Sequence, residues 1–257
     1  MRDFFTKALP EPLRVPWGIG SSVVVFLGAW IVVPVVIVLV LSAVSHLVPA
    51  ASWAHTLLQG LADTTQTDRS IQANFVLTLA TAVVGLGLIG WFLRRYRASW
   101  QQVGWRSFSL VKAVGYLVAL FLILAVGGNI LLDLIQWLAP AFNASQPQTN
   151  DFINAAGSHP QLALVALVVV PPIIEETVFR GFIFPALATK WGVWGGALGS
   201  SVLFGFAHLQ ANVSIYTFVL GLLLCFMYTR LRSIFPGMAL HMLNNYLAFI
   251  ALTGPHK

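Results

Sequence analysis

Long apolar runs, separated by shorter polar stretches, form the dominant pattern along the chain. Seven of these runs approach the length of about 20 mostly apolar residues that a membrane-spanning helix needs. They cover residues 19–45, 72–93, 111–138, 161–184, 194–209, 213–230 and 236–252. The polar stretches 46–71 and 139–160 are each short enough to be an ordinary loop. The pattern predicts an all-α polytopic transmembrane helix bundle of about seven or eight spans, built as a single integral membrane domain over residues 1–257.

The composition agrees with a protein that lies in a membrane. Hydrophobic residues make up 58% of the 257 residues and charged residues 9%, whereas an ordinary soluble domain has about 45–50% and about 25%. So few charges cannot cover so apolar a core, which excludes a water-soluble protein, and a disordered chain needs the opposite balance. A single cysteine, Cys225, excludes a disulfide framework or a thiolate metal site within the chain. No organelle-targeting presequence or long soluble domain is recognisable, which favours a bacterial plasma membrane.

The positive charges predict how the bundle is oriented, because cytoplasmic loops carry an excess of Lys and Arg. With the seven spans above, eleven basic residues lie on the side of the N-terminus: Arg2, Lys7, Arg14, Arg94, Arg95, Arg97, Arg106, Lys112, Lys190, Arg230 and Arg232. Two lie on the opposite side, Arg69 and Lys257, and Arg180 falls within a span. This asymmetry predicts a cytoplasmic N-terminus. Since the basic residues are scattered rather than gathered in one patch, no nucleic-acid partner is expected.

Two adjacent acids lie inside the fourth apolar run, where ionisable groups are costly and usually mark function. Glu176 precedes Arg180 by four residues, the spacing and order that favour an ion pair on one face of a helix. Glu175 lies about 100° around the helix from Glu176, so its carboxylate is expected to point away from that pair. An acid in this position suits a general base. The structural alternative is a buried salt-bridge cluster that only fixes helix packing.

Two of the six histidines fall within predicted spans, where a single histidine is more often a packing residue than a catalyst. His208 lies in the fifth run, one turn after Phe204, whose ring can pack beneath the imidazole. His241 lies in the seventh run, four residues before Asn245, so these two share a face and can donate hydrogen bonds towards one point. That arrangement suits a developing oxyanion. Asn244, three residues from His241, competes with Asn245 for this role.

Prolines and glycines in these runs predict local features of packing. Pro171 and Pro172 predict a kink or a fresh start of the fourth span, because proline removes an amide donor; the freed carbonyls favour a hydrated cavity. Gly195 and Gly199 are four residues apart, an interval that lets helices pack closely and would bring His208 within reach of the fourth span. Two further polar residues of the third span are expected to be buried in packing or in a polar network: Asn129 and Asp133.

Three motifs occur in order along successive runs: EETVFRG, FGFAH and HMLNN. In this order they resemble the CPBP family of intramembrane proteases, which includes type II CAAX prenyl endopeptidases and bacteriocin-processing or immunity proteins. The residues that match the family's motifs are Glu175, Glu176 and Arg180 in the first, Phe204 and His208 in the second, and His241 and Asn245 in the third. The resemblance covers residues 161–252, which form the expected catalytic core.

The resemblance implies an intramembrane glutamic endopeptidase that needs neither a cofactor nor a metal. Glu175 would activate a water molecule, and His208 would orient or polarise it. His241 and Asn245 would bind the tetrahedral intermediate. Structural support would come from three residues: Glu176, Arg180 and Phe204. The implied partners are a peptide or protein substrate, with or without a lipid group, and the membrane lipids; CAAX-type or bacteriocin processing would be the reaction.

Other interpretations stay open. A divalent metal between Glu175, His208 and His241 would supply a ready nucleophile, although the chain has no His-Glu-x-x-His helix. A non-enzymatic bacteriocin immunity protein is a second possibility. A proton-coupled transporter is a third, because transporters also bury carboxylates and histidines, but no inverted repeat of hydrophobic segments is visible.

Overall fold

The computed structural model describes residues 13–47, 49, 52–62, 68–140, 160–208 and 211–253. Over these residues the chain is helical and contains no β-strand, which confirms the all-α prediction. The helices are α1 (Ile19–Ser45), α2 (Trp53–Ala62), α3 (Asp68–Arg95), α4 (Leu110–Leu138), α5 (160–191), α6 (193–206), α7 (Ala211–Leu231) and α8 (Phe235–Thr253). A short 3-10 helix, Trp100–Val103, lies between α3 and α4.

Five helical stretches among the described residues are long and apolar enough to cross a membrane: Ile19–Ser45, Gln72–Arg95, Leu110–Leu138, Pro160–Phe206 and Val213–Leu231. The fourth is 47 residues long and comprises α5 and α6 together. Helix α8 is not among the five, and its polar residues His241, Asn244 and Asn245 lower its mean hydropathy. The chain is thus an integral membrane protein, whereas the exact number of spans and the cytoplasmic N-terminus stay predictions.

The stretch 46–71, expected to be a loop, contains helix α2. Its apolar residues recur at the i, i+3, i+4, i+7 spacing of an amphipathic helix; they are Ala54, Leu57, Leu58 and Leu61. The expectation of an ordinary loop was therefore wrong, because a search for long apolar runs misses a ten-residue helix with one apolar face. Most of the second long connection, 139–160, lies outside the described residues.

The boundaries of the fourth and fifth predicted spans also differ from the structure. Helix α5 continues past the predicted end at residue 184 and breaks at Gly192, whose φ of 73° is a conformation that glycine adopts without steric cost. Helix α6 ends at Phe206. His208 therefore lies in the turn that follows α6, and the expectation that it falls within a span was wrong.

The sequence predicted a kink or a fresh start of the fourth span at Pro171 and Pro172. Helix α5 does not start afresh there. It continues through both prolines, which are flanked by two π-helical segments, Val165–Val169 and Glu176–Ile183. In a π-helix each N–H bonds to the carbonyl five residues back instead of four. The hydrogen-bond pattern therefore changes from π to α before the prolines and from α to π after them, and the prolines themselves donate no backbone hydrogen bond.

The described residues fall into two compact units. The first consists of residues 13–24, 89–140, 175–208 and 211–240, and the second of residues 25–47, 49, 52–62, 68–88, 160–174 and 241–253. The expected catalytic core, 161–252, is therefore shared between the two units. A single domain over the whole chain, with that core inside it, stays a prediction.

The first unit is built around the π-helical segment Glu176–Ile183, whose eight residues are all buried. Trp17 stacks on Phe182 with ring centroids 4.7 Å apart, and its Nε1 donates to the Phe182 carbonyl at 2.9 Å. Elsewhere on the segment, Gly181 lies so close to Val103 that an added Cβ would collide with the Val103 carbonyl. The N-terminal segment and the α3–α4 connection thus both hold the π-helical segment in place.

Glycines bring α6 close to its neighbours in the first unit. A Cβ at Gly195 would lie 2.8 Å from the Trp191 Cβ, and one at Gly199 would lie 3.0 Å from Leu187 Cδ1. The close packing predicted for these two glycines is therefore present, against the last turns of α5. Helix α7 approaches α6 in the same way at Gly221.

The second unit packs α1 and α3 through glycines as well. An added Cβ at Gly28 would lie 2.6 Å from Leu88, and one at Gly85 would lie 2.9 Å from Ile174 and 3.5 Å from Ala29. Small residues at such positions let membrane helices approach closely. The first half of α5 is thereby held against α3 within this unit.

Candidate active site

The first unit contains the ion pair that the sequence predicted. Arg180 Nη1 lies 3.1 Å from Glu176 Oε1, and both side chains are 1% exposed. A buried charge is very costly without a partner, so the pair offsets part of the cost of placing both groups in the protein interior. The prediction of a Glu176–Arg180 pair is confirmed.

Aromatic rings provide the other contacts of the Arg180 guanidinium. Its central carbon lies 4.2 Å from the centroid of the Phe204 ring and 5.9 Å from that of Phe179. Among the described residues, no acceptor other than the Glu176 carboxylate lies near its side-chain nitrogens. The ion pair and the two ring faces therefore stabilise this cation, and cation–π contacts are strongest where water is excluded.

Phe204 connects this pair to His208. The two rings meet edge to face, with centroids 5.0 Å apart and an interplanar angle of 87°. Phe204 thus lies in contact with the guanidinium of Arg180 and with the imidazole of His208. Contacts in the first unit accordingly join the residues of the first motif to those of the second.

The way α6 ends fixes the hydrogen-bonding state of His208. The His208 backbone N–H bonds to Gly205 rather than to Phe204, and the Phe204 carbonyl instead lies 2.9 Å from His208 Nδ1. A carbonyl only accepts, so Nδ1 carries the proton and donates. In the neutral imidazole the lone pair is then on Nε2. His208 is half-buried and can accept a hydrogen bond, or a proton, through Nε2.

Burial separates the two adjacent glutamates. Glu176 is 1% exposed within its ion pair, whereas Glu175 is half-buried. Glu175 ends the α-helical stretch that contains the prolines, and the π-helical segment begins at the next residue. Of the two carboxylates, that of Glu175 is the more accessible to water or to a substrate.

In the second unit, the Asn245 side chain is held by a backbone carbonyl that two prolines leave without a helical donor. In an α-helix the Leu167 carbonyl would accept from residue 171, and in a π-helix from residue 172. Both residues are prolines, and neither has an N–H to give. The Leu167 carbonyl instead accepts a hydrogen bond from Asn245 Nδ2 at 3.0 Å. The double proline thus creates the acceptor that holds the Asn245 side chain.

The neighbouring asparagine supports the same side chain. Asn244 Nδ2 donates to Asn245 Oδ1 at 3.3 Å, so Asn244 acts on Asn245 in the structure. The Asn245 amide has two N–H groups, and one of them is used in the bond to Leu167. His241 is buried one turn earlier on α8, at 3% exposure. The second unit therefore contains both residues of the third motif.

The predicted catalytic residues are divided between the units. Glu175 and His208 belong to the first, and His241 and Asn245 to the second. Whether the four side chains meet at one substrate stays a prediction. Within the described residues of each unit, no group of three or more His, Cys, Asp or Glu side chains is arranged to hold a metal ion.

One residue predicted to be buried is exposed, and one residue without a predicted role holds a site residue in place; they are Asp133 and Leu167. Asp133 was expected to be buried but is exposed, because it lies on a part of α4 that faces outward, where Ile130 and Leu134 are exposed too. Nothing is described of the Asn129 side chain. Leu167 was not predicted to matter, although two prolines at i+4 and i+5 are a readable signal for an unpaired helix carbonyl.

The comparisons with known proteins fall on the same part of the chain as the motifs. Residues 157–247 match the family model described as Type II CAAX prenyl endopeptidase Rce1-like. A segment of 94 residues is 31% identical to the Bacillus subtilis (strain 168) protein named "Putative membrane peptidase YdiL". That match covers 37% of this chain and 38% of the relative, so the chain spans less than two fifths of the curated protein that it matches. No solved structure matches the chain significantly.

The matched residues 157–247 contain all three motifs, including Glu175, His208, His241 and Asn245. The descriptions of the family model and of the relative both name a membrane or prenyl peptidase. Over this segment the chain is therefore similar to type II CAAX prenyl endopeptidases of the Rce1-like kind and to a membrane peptidase of Bacillus subtilis named as putative.

Proposed function

We propose that this chain is an intramembrane endopeptidase that hydrolyses a peptide bond with a water molecule activated by Glu175. The observation that carries the proposal is the different burial of the two adjacent glutamates. Glu176 is sealed in an ion pair with Arg180, and Glu175 keeps partial exposure. A site that needs one structural acid and one reactive acid requires this division.

In the proposed reaction, Glu175 takes a proton from water, and the resulting hydroxide attacks the carbonyl carbon of the peptide bond. The second O–H of that water donates a hydrogen bond to Nε2 of His208 and stays intact, so the oxygen lone pair is oriented towards the carbonyl carbon. The orientation is supported by the bond from Nδ1 to the Phe204 carbonyl. General acid–base catalysis of this kind contributes about 10²–10⁴-fold to the rate.

The tetrahedral intermediate carries a negative oxygen, which is stabilised by hydrogen-bond donors already in place. We assign that role to His241 and to the second N–H of Asn245. The protonated Glu175 then gives its proton to the leaving nitrogen as the carbon–nitrogen bond breaks. The bond from Asn245 to the Leu167 carbonyl supports this assignment because it holds the amide in one orientation.

The substrate is a peptide or protein whose scissile bond reaches the membrane region, and the location is a bacterial plasma membrane. CAAX-type processing of a lipidated peptide is the substrate class that the family match supports best. Bacteriocin or other peptide processing is the second candidate, supported by the motif order.

The test is a cleavage assay on the full chain in detergent, with a mixture of lipidated and unlipidated peptides in water enriched in oxygen-18. Wild type is expected to release a product with one heavy oxygen in its new carboxylate, with and without a chelator. Glu175→Gln is expected to release none, while an intact thermal unfolding transition shows that it is folded. Undiminished cleavage by Glu175→Gln would overturn the proposal, and loss of wild-type cleavage with the chelator would replace it with a metal-dependent mechanism.

A further inference from the structure

The connection between α3 and α4 carries an unusual concentration of positive charge. We call residues 94–112 the basic loop; it contains no Asp or Glu. Five cationic side chains belong to it, all exposed: Arg94, Arg95, Arg97, Arg106 and Lys112. Positive charge of this density attracts anions and repels other cations.

Apolar side chains are exposed in the same stretch. Leu110 is 69% exposed and Val111 is 85% exposed, and both begin the membrane-spanning helix α4. Trp100 and Phe108 are also exposed. A surface that presents cations beside exposed aromatic and aliphatic groups matches the boundary between lipid headgroups and acyl chains.

The backbone at Arg97 has a left-handed conformation that glycine would adopt at less cost. Arg97 has a φ of 53° and is the left-handed residue that ends α3. Ala98 N–H bonds to Leu93 and Arg97 N–H bonds to Arg94, the pattern of a Schellman motif, in which glycine is the usual residue. Among the described residues, the other non-glycine with positive φ is also an arginine, Arg232, just after α7.

The basic loop is held firmly against the first unit. The Gly104 carbonyl accepts from Ile234 N–H at 3.1 Å, and Ser233 Oγ donates to the Arg106 carbonyl at 2.8 Å. Trp105 Nε1 donates to Thr177 Oγ1 at 3.3 Å. Because the backbone is already ordered, a ligand that binds the cations meets little further cost of ordering the loop.

We propose that the basic loop is a binding surface for the headgroups of anionic phospholipids. It joins two membrane-spanning helices and so lies beside the headgroup layer, where such lipids are present in the plane of the membrane. The exposed Leu110 and Val111 favour this ligand over an acidic soluble peptide, which would gain nothing from them. Each cation near an anionic surface strengthens binding by about fivefold, which gives a reason to keep arginine at Arg97 despite its backbone conformation.

The test measures lipid binding to the full chain purified in a neutral detergent. Phosphatidylglycerol and phosphatidylcholine with identical acyl chains are titrated in, and the bound lipids are counted by native mass spectrometry. Wild type is expected to bind phosphatidylglycerol severalfold more tightly, with a preference that weakens at high salt. The triple variant Arg97→Gln, Arg106→Gln, Lys112→Gln is expected to lose most of that preference.

Two single variants distinguish a binding site at the basic loop from a non-specific effect of the protein's total positive charge. Lys190→Gln removes an exposed cation outside the basic loop and is expected to leave the preference unchanged. Arg97→Gly relieves the left-handed backbone, so its melting temperature is expected to rise while its affinity for phosphatidylglycerol falls by about fivefold.

Three results would overturn the proposal. The first is equal binding of the two lipids by wild type, and the second is an undiminished preference in the triple variant. The third is tight binding of a glutamate-rich peptide to protein in phosphatidylcholine alone, lost in the triple variant, which would assign the surface to an acidic protein partner instead.

Discussion

Adjacent acids in a membrane protein can have different tasks when their surroundings differ. The Glu176 carboxylate is part of a buried pair with Arg180, and that cation also rests on the Phe204 ring. Glu175, the next residue, is half-buried. One substitution at each position should therefore affect different properties of the protein.

We predict that Glu176→Gln lowers the free energy of unfolding by about 3–5 kcal/mol, because it leaves the buried Arg180 cation without its counter-charge. Unfolding followed in detergent measures this loss. The neighbouring Glu175→Gln serves as the matched control and should change stability little. The double variant Glu176→Gln, Arg180→Met should recover much of the loss. A Glu176→Gln protein as stable as wild type would show that the ion pair has no structural role.

Substitutions of His208 should distinguish its two ring nitrogens. Asparagine keeps a donor near Nδ1 for the Phe204 carbonyl but has no acceptor at the Nε2 position, whereas glutamine reaches that position with an acceptor. His208→Gln is therefore expected to retain part of the kcat, and His208→Asn to fall by about 10²-fold or more. The measurement is the kcat of wild type and of both variants with the same peptide substrate. Equal kcat values, or a more active asparagine variant, would contradict the proposed role of Nε2.

At the residue scale, the sequence revealed what depends on spacing along one helix. The four-residue separation of Glu176 and Arg180 was enough to predict their contact, because such residues share a helix face. The contact between Phe204 and His208 was also predicted, although His208 lies in the turn after α6. The bond from Asn245 to Leu167 was not predicted, since it joins two helices. The tautomer of His208 could not be predicted either, because it depends on where α6 ends.

At the element scale, the double proline in helix α5 interrupts the backbone hydrogen bonds and thereby positions a side chain of α8. Two prolines deprive the Leu167 carbonyl of both its α-helical and its π-helical donor, and Asn245 takes that place. π-Helical segments precede and follow the prolines, and such segments often occur at functional sites. The sequence predicted a disturbance at the prolines but not its consequence for α8.

Replacing both prolines should separate stability from activity. In Pro171→Ala, Pro172→Ala the Leu167 carbonyl regains helical donors, so the hold on Asn245 weakens and kcat is expected to fall. Stability is expected not to fall, because each proline inside a helix costs about 3 kcal/mol relative to alanine. Thermal unfolding and kcat are measured together. Pro185→Ala, a change farther along the same helix, is the control and should leave kcat unchanged; an unchanged kcat in the double variant would contradict the coupling.

Element boundaries were predictable where a long apolar run had clear polar ends. Helices α1, α3 and α4 agree with the expected spans to within a few residues. The end of α5 was misplaced because the chain stays helical beyond its apolar part as far as Gly192. Helix α2 was missed because its ten residues form an amphipathic helix rather than an apolar one.

At the scale of the whole molecule, the charge pattern predicts the orientation in the membrane. Ser107, in the basic loop, should face the cytoplasm, and Leu47, after α1, should face the other side; both are exposed. Ser107→Cys and Leu47→Cys are tested with a membrane-impermeant maleimide on intact cells, where the buried native Cys225 contributes little background. The Leu47→Cys protein is expected to be labelled, and the Ser107→Cys protein is expected not to be labelled. The reverse pattern would invert the topology, and labelling of both would contradict the proposed spans.

The division of the motifs between two units could not be read from the sequence, because contacts between distant segments define each unit. Glu175 and His208 lie in one, and His241 and Asn245 in the other. The proposed reaction needs all four at one peptide bond, so loss of a residue from either unit should abolish cleavage. Asn245→Ala and His208→Ala should both be inactive under conditions in which each binds the peptide.

The most direct test of the proposed mechanism is the rate at which purified Glu175→Gln cleaves a peptide that wild type cleaves, under the same conditions and in the presence of a chelator. With the fold verified by its thermal unfolding, the variant is predicted to show no cleavage above the uncatalysed rate. A variant that retains the wild-type rate would mean that another group activates the water.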